Sequence, residues 1–541
     1  MISGNNRKRV TIMRIDIQEK LRGLKHLQGL KGRVQNSLSG FLRACVVALL
    51  VAFQFAVILI LPFFLRQFSS TFYVLLEIAG VLAIVTLTNN SRSMTYKFAW
   101  LCIIVVLPIS GYIMFALWGK VGKRNKLNQI IKHQIREVDT HLEEDISVSR
   151  EFVSKHPVSS RMSRYMQAEG SPIYKNNQAK YYPFGEDAFE DLFVDLEQAK
   201  RFIFIEFFIV AEGALWDKIH PILKRKVEEG VEVKFLYDDF GALLRTGKDF
   251  AANLRKEGIQ VEIFNPIHRY VSKLFMNFRD HQKIVVIDGN IAYTGGFNLA
   301  DEYANLVERF GIWKDSGIRL TGDAVWGMTI TFLELWTVCA WEDEIKYDRY
   351  RPGIPFPASD MYCHVLRDGP ALDARSLVGN IYKQMIQYSG VKLYVMTPYL
   401  ILEEFMVDTF LEAARRGVDV RIITPYIPDK KYIKWMTEYH YGILLKNGIR
   451  IYEYLPGFIH SKVVMNEHCA VVGTINMDYR SFYLHYENGI WVYDQEFLQK
   501  VERDFVQTFE ESREITYGEW KDRPLKRKMI QQILHVFDTL V

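Results

Sequence analysis

Three apolar runs dominate the first part of the chain. Ala44 to Leu65 is 22 residues with one polar side chain, Gln54; Thr71 to Leu87 is 17 residues and carries Glu77; Phe98 to Trp118 is 21 uncharged residues. About 20 apolar residues at 1.5 Å rise each cross a bilayer. The first and third runs therefore predict transmembrane helices, and the second predicts one only where Glu77 faces protein or water. The first run is too long for a signal peptide and lacks a small-residue cleavage site. Residues 1–40 hold nine Lys/Arg and residues 119–136 hold six, and each cluster favours the inner side of a membrane. Two inside ends require an even number of crossings. Either the middle run does not cross, or the two runs before residue 88 form one re-entrant unit, or one cluster is overruled.

Beyond residue 150 the pattern changes and then repeats. One passage reads FEDLFVDLEQAKRFIFIEFFIV, a helical stretch, then EEGVEVKFLYDD; the other reads IYKQMIQYSGVKLYVMTPYL, a helical stretch, then RRGVDVRIITPY. Each predicts helix, apolar strand, helix ending at a glycine (Gly230, Gly417) and a second apolar strand. Near-continuous apolar strands alternating with helices predict a parallel or mixed sheet covered on both faces. A strand opening on His-x-Lys follows 51 residues after Gly230 and 43 after Gly417. The region reads as a duplicated α/β domain with one such pair per half.

Composition adds little to this. The 541 residues are 49% hydrophobic, enough for a large core, and the net charge of +5 does not by itself predict a nucleic-acid partner. The five cysteines (Cys45, Cys102, Cys339, Cys363, Cys469) have no CxxC spacing, which suggests neither a disulfide framework nor a zinc site.

The two His-x-Lys strands carry the chemistry. Alternate strand residues share a face, so His281 lies with Lys283 and His460 with Lys462. One such pair is ordinary for a solvated strand. Two, each followed by a Gly-(Gly/Thr)-x-Asn turn at the same place in a repeat, point to a shared site. Protonated lysine is a poor metal ligand, and no third His, Asp or Glu stands at zinc-like spacing. Two imidazoles, two ammoniums and two amides suit phosphoryl transfer. Lysine and asparagine bind nonbridging oxygens; one histidine attacks phosphorus and the other protonates the leaving oxygen. No Mg²⁺ or other cofactor is called for where the lysines supply the charge.

At these residues the chain resembles the phospholipase D superfamily, whose signature is HxKxxxxD followed by a Gly-Ser/Gly/Thr-x-Asn turn, present twice. The first copy matches at His281, Lys283, Asp288, Gly295, Gly296 and Asn298. The second departs: Glu467 stands where aspartate is expected, and Lys462 to Gly473 is 11 residues against 12 from Lys283 to Gly295. Within the superfamily the chain resembles bacterial cardiolipin synthases, through WLCIIVVLPISGYIMFALWGK, LYDDFG, GGFNLADEYANLVERFGIWKDSGIRLTGDAV and GTINMDYRSFYLHYENGIWVYD.

The resemblance implies a catalytic set of His281, Lys283, Asp288, His460, Lys462 and Glu467. Asn298 and Asn476 join the lysines on the substrate phosphate, Glu487 supports the site, and there is no metal. In the family the acid of the motif mainly supports the site. The implied fold is a duplicated phospholipase-D-like α/β domain, mixed sheets flanked by helices, after an N-terminal transmembrane region. The implied reaction transfers a phosphatidyl group from one phosphatidylglycerol to another and releases glycerol. The implied partners are phosphatidylglycerol and anionic membrane lipid, not nucleic acid, and the implied location is the bacterial cell membrane, multi-pass. The competing readings are a phosphodiesterase using water or another alcohol, and a non-catalytic protein that binds anionic lipid.

The expected divisions are a basic tail (1–40), membrane segments (41–118, with runs 44–65, 71–87 and 98–118), a basic linker (119–165), two halves (166–350 and 351–516) and a C-terminal amphipathic helix (517–541). In that last stretch, Arg523, Lys526, Arg527 and Lys528 precede Met529, Ile530, Ile533, Leu534, Phe537 and Leu540, spaced for one helical face. Such a helix lies on an anionic lipid surface or packs on the body of the enzyme.

Overall fold

Two sheets share one strand order. In the first half the strands are β1 (Gln178–Tyr182), β2 (Phe202–Phe207), β3 (Glu232–Asp238), β4 (Gln260–Phe264), β5 (Lys283–Ile287), β6 (Ile291–Gly295) and β7 (Gly317–Thr321), arranged β1-β7-β6-β5-β2-β3-β4. In the second half they are β8 (Tyr362–Asp368), β9 (Lys392–Met396), β10 (Asp419–Pro425), β11 (Arg450–Tyr454), β12 (Val463–Asn466), β13 (Ala470–Gly473) and β14 (His485–Tyr493), arranged β8-β14-β13-β12-β9-β10-β11. The repeat read in the sequence is thus a repeat of topology over these seven strands, to which the second sheet adds the short edge strands Ile173–Tyr174 beside β8 and Ser512–Ile515 beside β11. β2, β3 and β4 run parallel, β5 pairs antiparallel with β2 and β6 antiparallel with β5, as do their counterparts, so both sheets are mixed. The structure is a computed structural model that describes residue 52 and residues 69–88, 94–107, 109–115, 126–265, 278–340, 345–370 and 376–540.

The apolar strands explain the layering. Every residue of β2 (FIFIEF) and of β5 (KIVVI) is buried, so each sheet needs cover on both faces. The outer cover in the first half includes the helices Gly185–Glu197 and Ala214–Glu228, through Phe189, Leu192, Leu215 and Ile219. On the inner side one core joins the halves: Phe204, Ile284 and Val286, the helix Ala324–Ala340, then Met396, Val463 and Val472.

Two short parallel pairings cross between the halves. Arg279–Asp280, just before His281, pairs with His485 and Tyr486 at the start of β14. Gly457–Ile459, just before His460, pairs with Ile312–Lys314 of the first half. The ladders extend by one bond at each histidine: His281 N–H donates to the Tyr486 carbonyl at 2.9 Å, and His460 N–H to the Lys314 carbonyl at 2.7 Å.

The N-terminal expectations fare unequally. Apart from Ala52, the run 44–65 lies outside the described residues, as does the basic tail 1–40. The run 71–87 falls in the helix Ser69–Thr88, with Glu77 exposed. The run 98–118, expected to be one span, is not continuous: a helix Met94–Val106 ends and a short one, Ser110–Met114, begins. Pro108 stands between them in the sequence; proline offers no N–H and disfavours helix in the residue before it. The chain doubles back so tightly that a Cβ on Gly111 would lie 2.7 Å from the Ile103 carbonyl. Among the described residues no helix is long and apolar enough to cross a membrane. This broken hairpin docks on the catalytic body: Tyr96 stacks on Tyr479 at 5.8 Å, and Trp100 joins Ile104, Phe115, Phe278 and Leu484 in one apolar cluster.

Two boundaries also differ from expectation. Within 119–165 lie the helices Lys126–Asp139 and Ile146–Lys155, and Asp139 accepts from Arg367 Nη1 at 2.7 Å, so part of the expected linker is packed structure. In place of one helix over 517–541 there are two, Tyr517–Lys521 and Leu525–His535, with a 3-10 turn Asp538–Leu540. The longer one rests on the helix Lys431–Lys446, with Leu534 packed on Ile433 and Met436, while Leu525, Met529 and Ile533 remain exposed.

The crossing strands make a prediction. A Cβ on Gly457 would meet the Ile312 carbonyl oxygen at 2.1 Å, so no side chain fits while the pairing holds. Gly457→Ala is expected to shift the strand that aims His460. A displacement of about 1 Å at a reacting group costs about 100-fold in turnover. Gly448→Ala, where a Cβ meets nothing within 4 Å, should cost stability alone. Initial rates and melting temperatures of the two variants separate these effects.

Candidate active site

The crossing strands decide which acid meets which histidine. One step beyond the pairing of Asp280 with Tyr486 come His281 and Glu487. One step beyond the pairing of Ile459 with Lys314 come His460 and Asp315. His281 Nδ1 lies 2.9 Å from both oxygens of Glu487, and His460 Nδ1 lies 2.6 Å from Asp315 Oδ2. Each half thus lends its acid to the other half's imidazole. A carboxylate only accepts, so the proton sits on Nδ1 and the Nε2 lone pair is free to react.

The lysines repeat the symmetry. Lys283 Nζ donates to the carbonyl of His281 at 2.5 Å, and Lys462 Nζ to that of His460. Both lysines are 1% exposed. Burial pulls Lys283 down to about 7 and Lys462 to about 8, with Glu487 and Asp315 working the other way. Burial, then the charges of Lys283 and Lys462, holds His281 well below the ordinary imidazole range. Burial and Lys462 bring His460 to about 4 against the pull of Asp315. The four groups act on one another, so this is a single site, and a bound anion would favour the charged form of each.

The glycine turns let this happen. A Cβ on Gly296 would fall 1.9 Å from Asp315 Oδ1, and one on Gly473 would fall 2.4 Å from the Asn488 carbonyl. Where the first half has Gly296 the second has Thr474, whose hydroxyl donates to Glu487. Ser481 Oγ donates to the same carboxylate at 2.7 Å. Asp315 has no such helpers: its Oδ1 is buried without a hydrogen-bond partner among the described residues. The asparagines close the site. Asn298 Oδ1 accepts from Ile209 N–H at 2.9 Å while its amide lies beside the Tyr303 hydroxyl, and Asn476 is held through its backbone N–H on Ser481 Oγ at 3.2 Å.

Asp315 is the site residue that the motif reading missed, and a signal for it existed. Asp315-Ser316-Gly317 and Glu487-Asn488-Gly489 occupy matching places, at the start of β7 and within β14. Aligning the halves beyond the asparagines exposes both acids. Glu206 and Asp280 were missed as well. Both are fully buried beside Lys283; burial and mutual repulsion raise Glu206 well above the carboxylate range, and burial brings Asp280 to about 7. Such a pair holds a proton between its members.

Asp288 and Glu467 require correction as catalytic groups. Asp288 follows β5 while His281 precedes it, and five residues at about 3.3 Å each put roughly 17 Å between them. Asp288 instead accepts from the backbone N–H groups of Lys200, Arg201 and Phe202 at 2.9, 2.7 and 2.9 Å, fixing the start of β2. Glu467 does the same for β9, accepting from Gly390 N–H at 2.6 Å and Lys392 N–H at 3.3 Å. The extra methylene spans the gap left by the shorter hairpin.

A duplicated α/β body with one His-x-Lys per half, joined at a shared anion site, is the arrangement of a phospholipase D superfamily enzyme. The family model described as "Cardiolipin synthase, PLD-like domain" matches residues 192–316 and 382–509, and that described as "Phospholipase_D-nuclease N-terminal" matches 78–120. An uncharacterised protein of Streptococcus mutans is 35% identical over 85% of this chain and 99% of its own. A cardiolipin synthase of Staphylococcus aureus is 32% identical over 83% of this chain and 92% of its own. Among solved structures, the phosphatidylserine synthase of Haemophilus influenzae shares the fold, with a TM-score of 0.54 at 16% identity, covering 70% of this chain and 98% of that one. The chain belongs to the bacterial cardiolipin synthase family of the phospholipase D superfamily.

The two hairpin acids are expected to act on stability. Removing the charged acceptor leaves backbone donors unpaired, at a cost of about 2–3 kcal/mol. Asp288→Ala and Glu467→Ala should lower the melting temperature and keep near-normal turnover per folded molecule well below it. A full loss of turnover in a folded variant would return these acids to the chemistry.

Proposed function

We propose that the site makes cardiolipin from two molecules of phosphatidylglycerol, through a phosphohistidine at His281. The enzyme is a phosphatidyltransferase. Nε2 of His281 attacks the phosphorus of the first lipid, an N–P bond forms, and the bond from phosphorus to the glycerol oxygen breaks. His460 supplies the proton that the departing glycerol needs. The second phosphatidylglycerol then gives its hydroxyl proton to His460 and attacks phosphorus, and the P–N bond breaks. Lys283, Lys462, Asn298 and Asn476 bind the phosphate oxygens throughout.

The unequal acids support this division of labour. Glu487 spreads its charge over His281, Thr474 and Ser481. Asp315 concentrates its charge on His460. The imidazole that must carry a proton gains more from the undivided carboxylate. Substrate adds to this, since a bound phosphodiester brings negative charge next to both imidazoles. Deep burial also favours an alcohol over water as acceptor, because both histidines are under a tenth exposed.

The same reading places the enzyme at the bacterial cell membrane, with 1–40 as a basic tail and the halves at 166–350 and 351–516. The helices Met94–Val106 and Ser110–Met114 enter as a broken hairpin.

A phosphatidyl ester with a nitrophenol leaving group separates the two histidines, because nitrophenolate departs without a proton. His460→Ala should still release a burst of nitrophenolate and make no cardiolipin from phosphatidylglycerol. His281→Ala should do neither. The opposite pattern would exchange the roles.

The lysines set the alkaline limit. Their depressed proton affinities mean that positive charge is lost between about pH 7 and about pH 8 in the empty site. kcat/KM, which reports the free enzyme, should fall as pH rises through that window. kcat should hold to higher pH, since bound phosphate favours the charged lysines. Profiles of both quantities in detergent micelles provide the check, and a kcat/KM that is flat to pH 10 would show that the lysines stay charged without substrate.

A further inference from the structure

Away from the catalytic groups, three potential ligands meet where the C-terminal segment lands on the second half. His440 stands on the helix Lys431–Lys446, His535 ends the helix Leu525–His535, and Asp538 opens the turn after it. Asp538 Oδ2 accepts from His440 Nε2 at 2.8 Å and from His535 Nδ1 at 2.7 Å. The three ligand atoms lie within 4.8 Å of one another. We propose that His440, His535 and Asp538 form a binding site for a divalent transition metal of the Zn²⁺ class, which ties the C-terminal segment to the catalytic body.

Several observations converge. His535 and Asp538 are three apart on a helical turn and face the same way. The His535 ring is held by stacking on Tyr439 at 4.1 Å, so its Nδ1 is already aimed. Asp538 is 4% exposed, and its second oxygen, Oδ1, is buried without a hydrogen-bond partner among the described residues. A buried carboxylate oxygen left in that state is costly, and a cation relieves the cost. Two imidazoles and a carboxylate, with water in the fourth position, are a zinc donor set; Mg²⁺ and Ca²⁺ prefer oxygen alone. Tetrahedral ligation with bonds of about 2.0–2.1 Å asks each nitrogen to move only about half an ångström away from Asp538 Oδ2. Each imidazole turns its lone pair to the metal and carries its proton on the other nitrogen, so neutral histidines bind it without releasing a proton. The His535 side chain is 37% exposed, which leaves an entry path.

The site is well placed to matter. The turn Asp538–Leu540 packs on the helix Met94–Val106, and Leu540 packs against the cluster that includes Tyr96 and Tyr479. Tyr479 lies three residues beyond Asn476. A metal here fixes the tail that presses the N-terminal hairpin onto the catalytic body.

The test uses the full chain in detergent micelles, stripped with chelator, dialysed and titrated with Zn²⁺ alone. The expected result is saturable binding of one ion per chain with a rise in melting temperature. Co²⁺ should give the intense visible absorption of a four-coordinate site. Losing a neighbour that merely orients a ligand costs at least about ten-fold in affinity, so His535→Ala and Asp538→Asn should each lose more than that. His535 is partly exposed, so His535→Ala keeps the test valid should Asp538→Asn fail to fold. Absence of saturable binding overturns the proposal. So does binding that persists in His535→Ala, or that disappears in His485→Ala instead, which would move the ion to His281, His485 and Glu487.

Discussion

Everything at the reactive centre depends on two short parallel strand pairings that cross between the halves. Each is only two or three residues long, yet each fixes the backbone immediately before a histidine against the backbone immediately before an acid. Side-chain partners one residue beyond a ladder inherit its register. The contacts of His281 with Glu487 and of His460 with Asp315 are therefore consequences of main-chain hydrogen bonding. Glycines 311 and 457 are required because backbones approach too closely there for any Cβ, and Gly296 because a Cβ would strike the Asp315 carboxylate.

Electrostatics follows from that frame. Four basic groups share a buried space, and none is comfortable in its charged form without an anion. The protein spends stability to keep Lys283 and Lys462 out of water, and it offsets part of the cost with two carboxylates held behind the imidazoles. The halves are not equal in this. Thr474 and Ser481 solvate Glu487, whereas glycine at 296 leaves Asp315 bare. A duplication that kept its geometry has thus acquired two chemically different ends, as the proposed division between one nucleophile and one proton donor requires.

Much of this was legible in the sequence. The apolar strands, the helix-ending glycines Gly230 and Gly417, and the two His-x-Lys pairs sit at matching points of a repeat, and the strand order repeats accordingly. Local motifs were legible because their spacing is local. Asp315 was harder to see, since its partner is 145 residues away and only aligning the two halves beyond the asparagines marks it. The hairpin acids misled for the opposite reason. They belong to the motif, but alternation along five strand residues carries them to the far end of the sheet. The run 98–118 misled because hydropathy counts apolar residues and does not register that one helix ends at Val106 and another begins at Ser110.

The crossed loan of acids makes the enzyme equivalent to a two-fold dimer whose subunits have been joined end to end. A true dimer at a membrane would lose its site on dilution, as subunits drifted apart in the plane of the bilayer. Here the second half is always present at the effective concentration set by the connecting chain, of millimolar order for short links. Bringing the two histidines together is thereby independent of how sparsely the chains are spread.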